Sequence, residues 1–177
     1  MTSIARISVF AALALGANFP FLVIPGIEVI SITLFWAGLY LGWRDGIASA
    51  AIAGIIFVCF NPNGPQPIIL VGIAQIFGFV TFAMTGGLFR RILLSGENVV
   101  KNIIIMTILG AVLTFWYDLI TNIMFAITIG PFWAVLIGGL SFAVAHIVSN
   151  TVIFGFSGTL VSKVWKRLEH SLPPLAG

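Results

Sequence analysis

The sequence has 177 residues, of which 60% are hydrophobic and 7% charged, with a formal net charge of +3 and a mean hydropathy of +1.17. So little polar surface cannot cover a water-soluble globule of this length, and the class that remains is an all-α integral membrane protein built as one domain over residues 1–177, with no room for a separate soluble domain. The positive residues are scattered rather than gathered on a basic face, which argues against nucleic acid as a partner, and the single Cys59 excludes an internal disulfide.

A hydrocarbon core about 30 Å thick takes about 20 apolar residues per helix, so five or six spans fit, with the lipid bilayer as the surrounding partner. Arg6 followed by the apolar run 7–17, with Ala12-Leu13-Ala14 as a cleavage-like triplet, has the outline of a secretory signal. The apolar character resumes at Phe19 and the remaining spans count better with this segment retained, so it is read as the first helix, over 4–19. Pro20, Pro25 and Gly26 make 20–27 an irregular loop, and a second helix is predicted over 28–41. The turn Gly42-Trp43-Arg44-Asp45-Gly46 separates it from a third helix over 47–60. Three prolines within 61–67 cannot continue a helix and form a turn outside the hydrocarbon. A fourth helix is predicted over 68–93, the polar segment 90–101 reads as a connecting loop, a fifth helix covers 102–129, and Gly130-Pro131 separates it from a sixth over 132–165. No repeat and no low-complexity segment is visible.

The Lys and Arg residues (Arg6, Arg44, Arg90, Arg91, Lys101, Lys163, Lys166 and Arg167) all fall at the N-terminus, the second turn, the fourth connection and the C-terminal tail. In a six-helix chain those places share one side, and the opposite loops 20–27, 61–67 and 128–131 hold no Lys or Arg. Positive residues collect on the cytoplasmic side of short loops, so both termini are expected there. Trp43 and Trp165 would then occupy the inner interfacial belt, and Trp36, Trp116, Tyr117 and Trp133 the middle or outer part.

Asp118 is the one acid deep inside an apolar run, and an ionisable group in such a place is costly enough to be a functional-site hypothesis by default. At 1.5 Å per residue, Glu28 counts about 16 residues from Arg44, Gln75 about 15 from Arg90, Asp118 about 17 from Lys101 and His146 about 17 from Lys163, which puts four polar groups from four helices roughly 22–26 Å above the inner interface. Asn122 lies one turn above Asp118 on the same face, and Asn150 one turn below His146. Each has a structural explanation alone: Asp118, Gln75 and His146 as interhelical hydrogen-bonding groups, Glu28 as a water-facing carboxylate at a helix start. Their common depth is what favours a pocket. Trp116 and Tyr117 flank Asp118 and could stack on a ring or hold a cation that the carboxylate neutralises.

No phosphate-binding loop, H-E-x-x-H, G-x-S-x-G or dinucleotide fingerprint is present, so neither an enzyme nor a bound cofactor or metal is expected. Cys59 reads as a buried, inert cysteine in preference to a soft metal ligand.

The run Ala37-Gly38-Leu39-Tyr40-Leu41-Gly42-Trp43-Arg44-Asp45-Gly46, followed by small residues through Ala53-Gly54, resembles the second-to-third helix junction of S components, the substrate-binding membrane subunits of energy-coupling factor (ECF) vitamin transporters. The Pro25-Gly26-Ile27-Glu28 approach to the second helix and the exit Gly86-Gly87-Leu88-Phe89-Arg90-Arg91 look similar too. The resemblance implies a six-helix bundle with cytoplasmic termini in a prokaryotic cytoplasmic (inner) membrane, and a vitamin held near the outer face. It also implies assembly with a transmembrane coupling subunit and two cytoplasmic ATPase subunits. Its docking signature, two small residues four apart on the first helix, is matched here by Ala12 and Gly16, with Gly in the second place.

The expected function is therefore capture of a vitamin or related small metabolite at the outer face for ATP-driven uptake, with Glu28, Gln75, Trp116, Asp118, Asn122 and His146 as the pocket. Two acids and no basic residue in the layer favour ligands that bring a cation or hydrogen-bond donors. The competing expectations are a stand-alone proton- or ion-coupled carrier or channel, in which Asp118 and His146 form a relay, and a structural or assembly subunit.

Overall fold

The computed structural model describes residues 2–94 and 98–168, the side chains of 162, 165, 166 and 168 excepted, so the expectations for Trp165 and Lys166 lie outside the described residues. All regular structure among the described residues is helical: α1 (Ser3–Asn18), α2 (Ile30–Leu41), α3 (Trp43–Cys59), α4 (Ile69–Leu88), α5 (Arg90–Leu94), α6 (Val99–Ile129), α7 (Phe132–Gly138), α8 (Leu140–Gly158) and α9 (Val161–Leu168).

Among the described residues, four stretches are long and apolar enough to cross a membrane: Ser3–Phe21, Ile69–Leu88, Val99–Ile129 and Phe132–Gly158. Their apolar side chains point outward in regular stripes. Ile104, Ile108, Val112 and Phe115 are exposed along α6, Val144, Val148, Val152 and Phe156 along α8, and Ile69, Ile73 and Phe77 along α4. Asp118, His146, Asn150, Asn102 and Ser49 are buried. Apolar outside with polar groups inside is the arrangement that lipid, not water, selects, and it is compatible with a multi-pass membrane protein.

Helix boundaries depart from the sequence expectation in instructive ways. The turn between the second and third helices is Gly42 alone, whose φ of +92° makes the reversal, and Trp43 to Gly46 already form the first turn of α3. Gly46 lies in that first turn with its bare Cα packed on Gly38, where a Cβ would stand 2.5 Å from that residue's Cα. The predicted fourth helix stops at Leu88, and after Phe89 the chain forms the separate short α5. The predicted sixth helix is three pieces, broken at Gly139 and again after Gly158. Much of the predicted loop 90–101 is helical, since α6 starts early under the Asn98 side chain, which accepts from Lys101 N at 3.0 Å.

Helix α2 is the centre of the molecule. Apart from Trp36 every one of its residues is buried, because α1, α3 and α4 all pack on it. At 1.5 Å per residue its 12 residues reach about 18 Å, short of a membrane core, so α2 is a core helix rather than a full span. Glycine brings α4 against it: a Cβ on Gly86 would meet Phe35 O at 2.1 Å, and one on Gly38 would meet Ala83 O at 1.8 Å. On the other side α8 packs along α6, with Gly110 against Phe154 and Gly158 against Ile103. The α1–α4 group and the α6–α8 group meet along α4 and α6.

The two ends of the bundle differ. At one end Arg90 is buried and donates from Nη2 to Tyr40 O (3.2 Å) at the C-terminus of α2, Tyr40 OH donates to Val161 O (3.2 Å), and Lys101 Nζ and Asn102 Nδ2 donate to Ile92 O and Leu93 O, both at 3.1 Å. Cations there complement carbonyl-rich helix ends. Ser3 Oγ donates to Asp45 Oδ2 at 2.6 Å, tying α1 to α3. The other end carries the loops 19–29 and 61–67, and beneath them lies the cavity described next.

Candidate functional site

The chain is steered into this site from its first helix. Asn18, fully buried at the end of α1, accepts through Oδ1 from Val29 N (2.8 Å) and Ile30 N (3.1 Å), and so caps α2 from across the loop. Gly26, with φ +78°, lays the loop against Ala145 and His146 of α8, and Ser149 Oγ donates to Gly26 O. Those two tethers fix Glu28, whose Oε2 accepts from Ser31 Oγ at 3.2 Å.

Opposite it, α4 and α6 approach at Gly78, where a Cβ would lie 2.4 Å from Tyr117 Cδ2. Tyr117 is thereby seated in the core, stacked on Phe79 at 5.3 Å between centroids and edge-on to His146 at 5.9 Å. The next residue, Asp118, is 4% exposed, and its Oδ1 lies 2.8 Å from His146 Nδ1. His146 Nε2 lies 3.0 Å from Asn150 Nδ2 and 3.5 Å from Glu28 Oε2. With Nδ1–H donating to Asp118, Nε2 accepts from the Asn150 amide. With a second proton, Nε2–H points its charge at Glu28, and a flipped Asn150 amide offers its otherwise unpartnered Oδ1. The arrangement accommodates either protonation state.

These groups surround a cavity of about 200 Å³ lined by Glu28, Gln75, Tyr117, Asp118, Asn122 and His146, with Val71, Thr121, Phe125 and Phe142 as the rest of its wall. Among the described residues Asp118 Oδ2 and Gln75 Oε1 have no hydrogen-bond partner, and the Tyr117 hydroxyl lies beside Gln75 without a well-formed bond. Buried polar atoms are nearly always paired, so a cluster of unpaired ones around a hollow is the mark of a site built for something else to complete. Two carboxylates against one imidazole make the cavity attractive to cations and donors. Among the described residues no group of His, Cys, Asp and Glu is arranged to hold a metal ion.

Of the pocket residues expected from sequence, Glu28, Gln75, Asp118, Asn122 and His146 come together and Trp116 does not. Trp116 is 39% exposed on the outer face of α6, edge-on to Phe77 at 6.5 Å. The reason is helical geometry: at about 100° per residue, a side chain two positions from Asp118 points nearly the opposite way. The positions that share its face are Tyr117 beside it, Thr121 and Asn122, and all three line the cavity. Asn18 and Ser149, which aim the Glu28 loop, were missed, although an amide at the end of the apolar α1 is the same kind of anomaly that singled out Asp118. Ala12 and Gly16 are exposed on α1, with nothing within 4 Å of a Cβ at Gly16. Cys59 is exposed at the end of α3, not buried.

No family model, no curated protein and no solved structure matches this chain.

Proposed function

We propose that this chain is the substrate-specific membrane subunit of an ECF-type transporter, an S component, which captures a vitamin or related small metabolite at the outer face of a prokaryotic cytoplasmic membrane. On this reading six segments cross or line the bilayer with both termini in the cytoplasm, and separate coupling and ATPase subunits supply the energy. The observation that carries it is the cavity itself: side chains from four separate segments, two of them acids and several of them unpaired, converge under loops that hold no Lys or Arg. The glycine-patterned junctions around Gly42 and Gly86 to Arg91 support it through their resemblance to that family, and the exposed Ala12 and Gly16 leave one face of α1 open for a coupling subunit. The cavity would hold the ligand's cationic or donor groups between Asp118 and Glu28. Native mass spectrometry of gently purified protein tests this directly. A co-purifying metabolite, lost in Asp118→Asn, is expected; an empty protein whose uptake activity needs no ATPase partner overturns it.

A second reading is favoured by the contacts of His146, which bridges Asp118 and Glu28. A stand-alone proton-coupled carrier would use that triad as a relay. It predicts uptake into liposomes driven by a pH gradient alone, whereas capture for an ATPase predicts none.

A further inference from the structure

A second cavity, of about 140 Å³, lies against the first between α6, α7 and α8, walled by Leu119, Leu136, Leu140 and Ala143 and sharing Asp118 and Asn122 with it. Its wall is almost wholly apolar. Phe115 and Leu140 at its rim are 55% and 56% exposed on the stripes that face lipid, so the crevice opens sideways and not toward the loops. The segment covering it is loosely held: α7 has no buried residue and is joined to α8 at Gly138-Gly139. Asn122 stands between the two spaces, and Gly139 makes room for it, since a Cβ there would lie 2.8 Å from Asn122 Oδ1.

Size argues for joining them. Pockets for small organic ligands usually span about 300–1,000 Å³. The polar chamber alone, at about 200 Å³, falls below that range, and the adjoining crevice brings it to the lower edge. A third space under the loop 61–67 shares only Gln75 with the chamber and is lined by Asn61, Asn63 and Gln66, which suits water more than a ligand's apolar part. Asp118 decides the polarity of the arrangement. It is buried, its Oδ2 has no hydrogen-bond partner among the described residues, and it belongs to both cavities.

Building on the capture reading above, we propose that the ligand class is an amphipathic organic cation. Its ammonium-type head lies in the chamber at Asp118 and Glu28, and a short apolar arm passes Asn122 into the crevice under α7. Leu136 and Ala143 then set the length of arm accepted, and Gly139 keeps the passage open by giving Asn122 somewhere to stand.

The test titrates primary n-alkylamines, ethylamine to hexylamine, into the purified protein in a single detergent, comparing parent, Leu136→Trp, Leu136→Ala and Asp118→Asn. Detergent partitioning is common to all four and cancels. Affinity for the parent should rise about fourfold per methylene until the crevice is full. In Leu136→Trp ethylamine should bind as in the parent while the length dependence disappears, and in Leu136→Ala the plateau should move to a longer amine. Ala143→Leu serves as the filling variant if the tryptophan prevents folding. Equal length dependence in the parent and the filled variant overturns the crevice while leaving an Asp118-dependent capture site standing. Failure of every amine to bind, or equal binding by Asp118→Asn, overturns the cation head, while a metabolite that still co-purifies with the parent and is lost in Asp118→Asn leaves capture standing with a neutral, donor-bearing ligand.

Discussion

His146 is held between two carboxylates and is itself almost wholly buried. Its 2.8 Å contact with Asp118 is the shortest charged contact in the cavity, and both partners are almost wholly buried. Breaking one side of such a pair leaves the other uncompensated and costs about 3–5 kcal/mol, whereas replacing both with apolar groups is often nearly neutral. His146→Leu and Asp118→Leu should therefore each lower the thermal stability of the purified protein substantially, and the double variant should recover much of the loss. Additive losses in a melting experiment would show that the two groups do not act as a pair. A second expectation separates two adjacent aromatics: Trp116→Ala should leave ligand binding within about twofold, because it removes an outward ring, whereas Tyr117→Ala opens a hole beside Phe79 and costs about 3–5 kcal/mol. The acid and the histidine were legible in the sequence since each interrupts an apolar run. The choice of Trp116 over Tyr117 was an error of phase along one helix, and the 3.6-residue period held the information needed to avoid it.

Glycine placement governs how the elements meet. The crossing of α2 and α4 brings backbone to backbone, and a side chain at Gly86 would have to displace Phe35 O, a main-chain atom with nowhere to go. Gly86→Val should therefore cost at least the 1–3 kcal/mol typical of overpacking and reduce the yield of folded protein. Gly16→Val supplies the contrast, with open space around it on α1. Its purified protein should melt like the parent, yet ATP-driven uptake with the partner subunits should fall if the Ala12–Gly16 face is where a coupling subunit docks. Unchanged uptake would remove that surface from the proposal. At this scale the sequence marked the breaks at 20–27, 61–67 and Gly130-Pro131 but not those at Phe89 and Gly139. Prolines between apolar runs mark the former. The stop at Gly139 lies where the helix passes Asn122 of α6, a contact between segments that no local pattern shows.

Taken whole, the molecule has a basic end, where Arg90, Lys101 and Asn102 close helix termini, and an end whose loops hold no Lys or Arg, with the cavity beneath. Counting from basic anchors along the sequence brought Glu28, Gln75, Asp118 and His146 to a common level because most of each count runs along one helix, where residue number converts into height, and the breaks at Gly42, Phe89 and after Gly158 fall near the anchors. The tethers were out of reach of that count, since Asn18 closes a loop whose path the sequence does not fix and Ser149 joins segments distant in the chain. Which end faces the cytoplasm follows from a separate physical argument: translocating Lys and Arg is costly, so the basic end should stay inside. Single-cysteine labelling decides it. In a Cys59→Ser background, Asn63→Cys in the loop 61–67 should react with a membrane-impermeant maleimide on intact cells, and Lys101→Cys only after the membrane is opened. The reverse pattern would place the cavity on the cytoplasmic side. Capture from outside would then be impossible for the same set of residues, and the cavity would have to be read as an export or cytoplasmic-sensing site.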